Sequence, residues 1–72
     1  MNIQLTSRQR EVCVLLMLGL TCKEMAKRLS LSRRTVEDHL YNAEHAFGVT
    51  SSQHLLSKLW SLPEWDGLYR LP

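Results

Sequence analysis

The link "SLS", residues 30–32, restricts the fold more than any other feature of this chain. It joins two segments of helical pattern and is too brief to let them pack antiparallel, so they must cross steeply, as in a helix-turn-helix. Downstream of the link, Ser32 is placed to cap a helix. Val36, Leu40, Ala43 and Phe47 then follow at spacings of four, three and four, which predicts a single buried face, and Gly48 ends the segment. Upstream, Thr21 caps "CKEMAKRLS", with Glu24 three residues later completing a capping box. Met25, Ala26 and Leu29 supply the inner stripe of this short helix.

Two more helices flank this pair. Thr6 caps "SRQREVCVLLML" and Gly19 closes it; the last helix begins about Ser51 or Ser52, runs through "QHLLSKLW" and must stop near Pro63. The fold class is therefore all-α, with four helices in residues 1–62 and an aromatic tail in 63–72. The first helix is apolar around most of its circumference, although a small surface helix should keep a polar side. Leaving Val14 and Leu18 bare would forgo about 1.5–3 kcal/mol each. They are expected to be covered, either by the tail folding back on the first helix through Trp60, Trp65, Leu68 and Tyr69, or by a partner.

Size and composition exclude several classes of function. Seventy-two residues make one domain with a few kcal/mol of net stability and no roomy enzyme cleft. Hydrophobic content of 44% against 22% charged residues is that of a folded domain rather than a disordered tail. The longest apolar run, 12–18, falls far short of the roughly 20 residues that span a bilayer. The N-terminus has no apolar secretory stretch, so a cytoplasmic, nucleoid-associated protein is expected. Cys13 and Cys22, nine apart, read as reduced structural thiols. His39, His45 and His54 are not joined by a cysteine or carboxylate at ligand spacing, so no metal is expected, and neither a cofactor nor a small-molecule ligand is implied. No nucleophile, base and orienting group can be assembled, which argues against catalysis.

The charge is unevenly spread. Residues 1–36 hold seven Lys/Arg against two acids, a balance of +5, and residues 37–72 hold two against five, a balance of −3. The basic half is the one drawn to polyanions. Outside its buried stripe, the third helix presents Arg33, Arg34, Glu37, Asp38, Tyr41 and Glu44. Arg33 and Arg34, in the first turn, suit phosphate or guanine, and a carboxylate at Glu37 or Asp38 can accept a hydrogen bond from cytosine N4. The plainer reading of the two acids is as solvated charges paired with Arg34 at helical spacing.

The motifs "LTSRQREV" (5–12), "GLTCKEMAKRLSLS" (19–32), "TVEDHL" (35–40) and "FGV" (47–49), in this order, resemble the LuxR/FixJ (GerE-like) helix-turn-helix DNA-binding domain family. The resemblance covers about residues 5–60. It implies a four-helix domain whose recognition helix, about 32–47, lies in the major groove of double-stranded DNA, and whose last helix dimerises. It implies phosphate contacts at Thr21, Lys23 and Thr35 and dimer contacts at Leu55, Leu56 and Leu59, and the exposed face of the third helix adds an expected phosphate contact at Arg33 and base contacts at Arg34, Glu37, Asp38 and Tyr41. It also implies a half-buried packing role for His39. The chain departs from the family pattern at Ala46 and Ser52, where basic residues are common, and at Cys22, where asparagine is common. The first two departures remove phosphate contacts, so DNA affinity is expected to depend on a homodimer through the last helix or on a protein partner.

The expected function is a sequence-specific DNA-binding transcription regulator. Met1 stands just before the first motif, so the chain is read as a stand-alone helix-turn-helix domain. The rival reading is a protein-interaction module, an anti-activator that keeps the fold and turns its acidic recognition face to another regulator.

Overall fold

The computed structural model describes residues 5–61, which form α1 (Ser7–Met17), α2 (Cys22–Leu29), α3 (Arg33–Phe47) and α4 (Ser52–Trp60), with no strand among the described residues. Each helix begins where a short hydroxyl side chain can satisfy a free amide. Thr6, Thr21, Ser32 and Ser51 accept from the backbone N–H groups of Gln9, Glu24, Thr35 and His54 respectively. Two of these starts are reciprocal capping boxes. The Glu24 carboxylate accepts from the Thr21 N–H at 2.8 Å, as the sequence predicts, and Gln9 accepts from the Thr6 N–H at 3.0 Å, which sequence reasoning does not anticipate.

The first three helices also share one way of stopping. After α1, Gly19 turns left-handed at φ 91°, its N–H donates to Leu16 C=O, and the N–H of Leu20 donates to Leu15 C=O. Ser30 with Leu31 repeats this after α2, and Gly48 with Val49 after α3, at φ 57° and 71°. This is the Schellman arrangement, in which the residue after the left-handed one plants an apolar side chain. Leu20, Leu31 and Val49 are each half-buried against the core. The chain therefore closes each helix and anchors the next connection in the same step.

α3 packs against all three other helices, and its predicted stripe lies inside: Val36 and Ala43 are fully buried, with Leu40 and Phe47 nearly so. Met25 and Ala26 of α2 face it, as expected from their spacing. His39 is half-buried, in agreement with the expectation for it.

Two expectations change, and a third falls outside the described residues. Leu55 and Leu59 are fully buried in the core of the chain itself, so they cannot serve as dimer contacts while the domain is folded; of the three leucines, Leu56 alone is partly accessible. The reason is geometric: four residues apart on α4, Leu55 and Leu59 share the face that meets α1 and α3. Val14 and Leu18 do not behave as a pair, because Val14 is buried while Leu18, at the C-terminal end of α1, is 53% exposed. The expected cover from the tail falls on Trp65, Leu68 and Tyr69, which lie outside the described residues; Trp60, the last residue of α4, is 54% exposed.

The left-handed serine is a testable strain. Ser30→Gly is expected to raise stability by about 1 kcal/mol and Gly48→Ala to lower it by a similar amount, since L-residues resist this conformation. A Cβ at Gly48 would meet nothing within 4 Å, so its penalty is conformational alone. Chemical denaturation of both variants checks the signs.

Candidate nucleic-acid interface

The side of α3 opposite the core is open and strongly charged. The arginines of its first turn are the most exposed of its charges, with 68% of the Arg33 side chain and 84% of the Arg34 side chain accessible. Each lies four residues before an acid, and the helix brings both pairs together: Arg33 Nε donates to Glu37 Oε2 at 3.1 Å, and Arg34 Nε donates to Asp38 Oδ1 at 3.3 Å. Glu37 and Asp38 are thus both paired, in two parallel bridges along one face. Sequence reasoning foresees a pairing with Arg34 and misses the one with Arg33, although the same spacing signals it.

A groove of about 390 Å³ runs beside these pairs, lined by Arg34, Glu37, Asp38 and Tyr41 of α3, Cys22 of α2 and Ser52 of α4, among others. It gathers the starts of α2 and α4 onto the exposed face of α3. Tyr41, 60% exposed, rests edge-on against His45 with ring centroids 5.1 Å apart. Also lining the groove, Ser52 Oγ donates to Glu44 Oε2 at 3.3 Å, a contact between residues eight apart that no local pattern announces. Where the family commonly has an arginine, this chain thus uses Ser52 to tie α4 to α3.

The hydroxyls expected to meet phosphate have local partners. Thr35 Oγ1 lies 2.8 Å from Ser32 Oγ, which also accepts from the Thr35 N–H. Thr21 Oγ1 accepts from the Glu24 N–H. The Glu24 carboxyl is held below its usual range by its hydrogen bonds with Thr21, so a negative charge sits at the N-terminus of α2, the end of a helix that otherwise favours an anion. Lys23 is exposed at the same end of the helix. The sequence-predicted set is therefore divided: Arg34, Glu37, Asp38 and Tyr41 meet in one groove with Arg33 alongside, whereas Thr21 and Thr35 are engaged in starting their own helices.

Neither thiol is activated. Burial pushes the Cys13 thiol up to about 12, and Cys22 is raised as well, first by burial and then by the Glu37 carboxylate, with Arg33 opposing. No group of three or more His, Cys, Asp or Glu among the described residues could hold a metal ion. No helix of the described residues is long and apolar enough to cross a membrane.

Among known proteins, the family described as bacterial regulatory proteins of the luxR family matches residues 3–59 of this chain. The chain is 38% identical over 62 residues to the spore germination protein GerE of Bacillus subtilis, covering 86% of the chain and 84% of GerE. It is 43% identical over 53 residues to the uncharacterized response regulatory protein YgeK of Escherichia coli, covering 74% of the chain but only 36% of YgeK. No solved structure matches it.

The thiols give a direct check on the groove. Because the thiolate is the reacting form, an alkylating reagent at mildly alkaline pH is expected to modify half-buried Cys22 in the folded chain and to spare Cys13 until denaturant is added. Mass mapping of the modified peptides, with and without denaturant, distinguishes the two sites.

Proposed function

The chain belongs to the luxR family of bacterial regulatory proteins, and we propose that it regulates transcription by laying the outer face of α3 in the major groove, with Arg33 and Arg34 leading. What supports this reading is one observation: the first-turn arginines are the most exposed charges of a helix whose opposite face is sealed in the core. A helix held in this way can enter a groove without disturbing its packing. Arg34, Glu37, Asp38 and Tyr41 are the base-reading set, and Arg33 contacts the backbone.

The acids answer a problem that an arginine-led helix would otherwise have. An exposed ion pair contributes at most about 1 kcal/mol, so either arginine can exchange its carboxylate for a guanine edge or a phosphate at little cost. The carboxylate released in the exchange must then find a donor. Facing cytosine N4 it gains a hydrogen bond; facing an acceptor edge it is left unpaired and is repelled. The pairs therefore lower affinity for arbitrary DNA and concentrate it on sites that present cytosine to Glu37 or Asp38. The protein acts where its DNA is, in the cytoplasm at the nucleoid.

Site selection from a random duplex pool, followed by anisotropy, tests this. Wild type is expected to enrich C·G pairs at fixed positions. The variant E37Q/D38N should bind a mixed-sequence duplex several-fold more tightly and lose the enrichment. Equal discrimination by both proteins would overturn the role given to the acids.

A second copy belongs on the outer face of α4, where Leu56 is half-buried and Trp60 exposed, rather than on the buried Leu55 and Leu59. Sedimentation equilibrium should show self-association that L56E weakens without unfolding the domain. A monomer at every accessible concentration would refute the homodimer.

A further inference from the structure

Val14 is more deeply buried than its place on α1 accounts for. Its neighbours on the same stripe of the helix, Arg10 one turn before and Leu18 one turn after, are both exposed, whereas Val14 itself is only 4% exposed. Residues 12–15 are all buried, and consecutive residues of a helix point about 100° apart, so these four face every side of α1. α1 packs chiefly against α3 and α4, which account for its inward sides and leave the stripe of Arg10, Val14 and Leu18 to be covered from outside. Leu18 leans back over the preceding turn, but a leucine that is itself 53% exposed does not seal its neighbour.

The segment that follows α4 matches this stripe in chemistry and in reach. In "PEWDGLYRLP", residues 63–72, Trp65 stands between Glu64 and Asp66, with Leu68 and Tyr69 beyond. Arg10 is not among the described cations that pair with a carboxylate, so an apolar residue beside an uncompensated cation on α1 is matched by an aromatic residue between two acids in the tail. The start of α4 lines the same groove as Cys22, just past the end of α1, so these two packed helices run in opposed directions and α4 ends toward the start of α1. An extended chain from Ser61 reaches Trp65 within about 14 Å, while α1 rises about 10 Å from Ser7 to Val14. Trp65 is therefore within range of Val14, and Leu68 within range of Leu18 one turn further on.

We infer that residues 62–72 lie back along the outer stripe of α1, with Trp65 on Val14 and its flanking carboxylates toward Arg10. The all-round apolar character of α1 then has a physical use. Helices cover its inner sides, the tail covers its outer one, and α1 becomes the rod around which the domain closes. The tail is in this account a fifth packing element of the domain, and its place on α1 does not depend on the DNA-binding reading given above.

Tryptophan fluorescence of the intact chain tests this. W60F leaves Trp65 as the sole tryptophan, so the emission reports on the tail directly. Its emission should be blue-shifted, and its quenching by acrylamide several-fold weaker than in denaturant, at every protein concentration. V14E should bring both close to their values in denaturant while circular dichroism shows the helices retained. L18E, at an exposed position that the core does not require, should do so in part, and it carries the test if V14E unfolds the domain. Trp65 as freely quenched as in denaturant would overturn the inference and leave residues 1–4 to cover Val14. Protection that grows with protein concentration would overturn it in favour of a second copy. A protected Trp65 that neither substitution on α1 disturbs would place the tail on another surface, and the inference would fail.

Discussion

Three residues between α2 and α3 set the geometry on which recognition rests. Ser30 turns left-handed, Leu31 packs half-buried against the core, and Ser32 caps the next helix with its side chain. The left-handed serine costs about 1–2 kcal/mol, which is large for a domain of this size. It is offset because the turn satisfies the carbonyls of Ala26 and Lys27 and buries part of a leucine that would otherwise face water. With no residue to spare, the crossing of α2 and α3 has little freedom. The N-terminal end of α2 and the outer face of α3 are consequently held on one side of the molecule, and a ligand as stiff as a DNA duplex can meet both.

The same economy governs charge. A recognition helix with two bare arginines would bind any polyanion, and one with two bare acids would bind none. Placing an acid four residues after each arginine makes these four residues neutral in total and polar in detail. Surface pairs of this kind are weak, and their weakness is useful: they hold the guanidinium groups in place in the free protein and yield to a stronger partner when one arrives.

How much of this was legible in the sequence depended on whether a residue's role was local. The stripe of α3 could be read directly, because only one face of that helix is apolar and periodicity locates it. Gly19 and Gly48 announced their left-handed turns. Ser30 did not, since serine carries no such signal and tertiary packing of Leu31 selects its conformation. On α4 the sequence showed that Leu55, Leu56 and Leu59 are apolar but not which surface covers them, and the resemblance to a dimerising family pointed to a partner where the chain's own core was the answer. α1 misled for the opposite reason: it is apolar nearly all round, so pattern alone could not separate Val14, which is buried, from Leu18, which is not. That Arg34, Glu37, Asp38 and Tyr41 share one groove followed from helical geometry, whereas the contact between Ser52 and Glu44 spans two helices and has no local signature.

The capping box of α2 shows how a stability device can redirect function. Read as sequence, Thr21 and Glu24 mark the start of a helix, and a helix start is a natural phosphate site. Read as structure, the two conflict. The carboxylate that completes the cap occupies one amide and places its charge where the phosphate would sit, and hydrogen bonding keeps it ionised below the usual carboxylate range. The cap engages the amides of Thr21 and Glu24, and the Glu24 charge is what an incoming phosphate would meet at this helix end. The departure of Ser52 from the family's arginine follows the same course, since that position ties α4 to α3 through Glu44 instead of reaching outward. Local stability and anion contact compete for the same few groups in a domain this small.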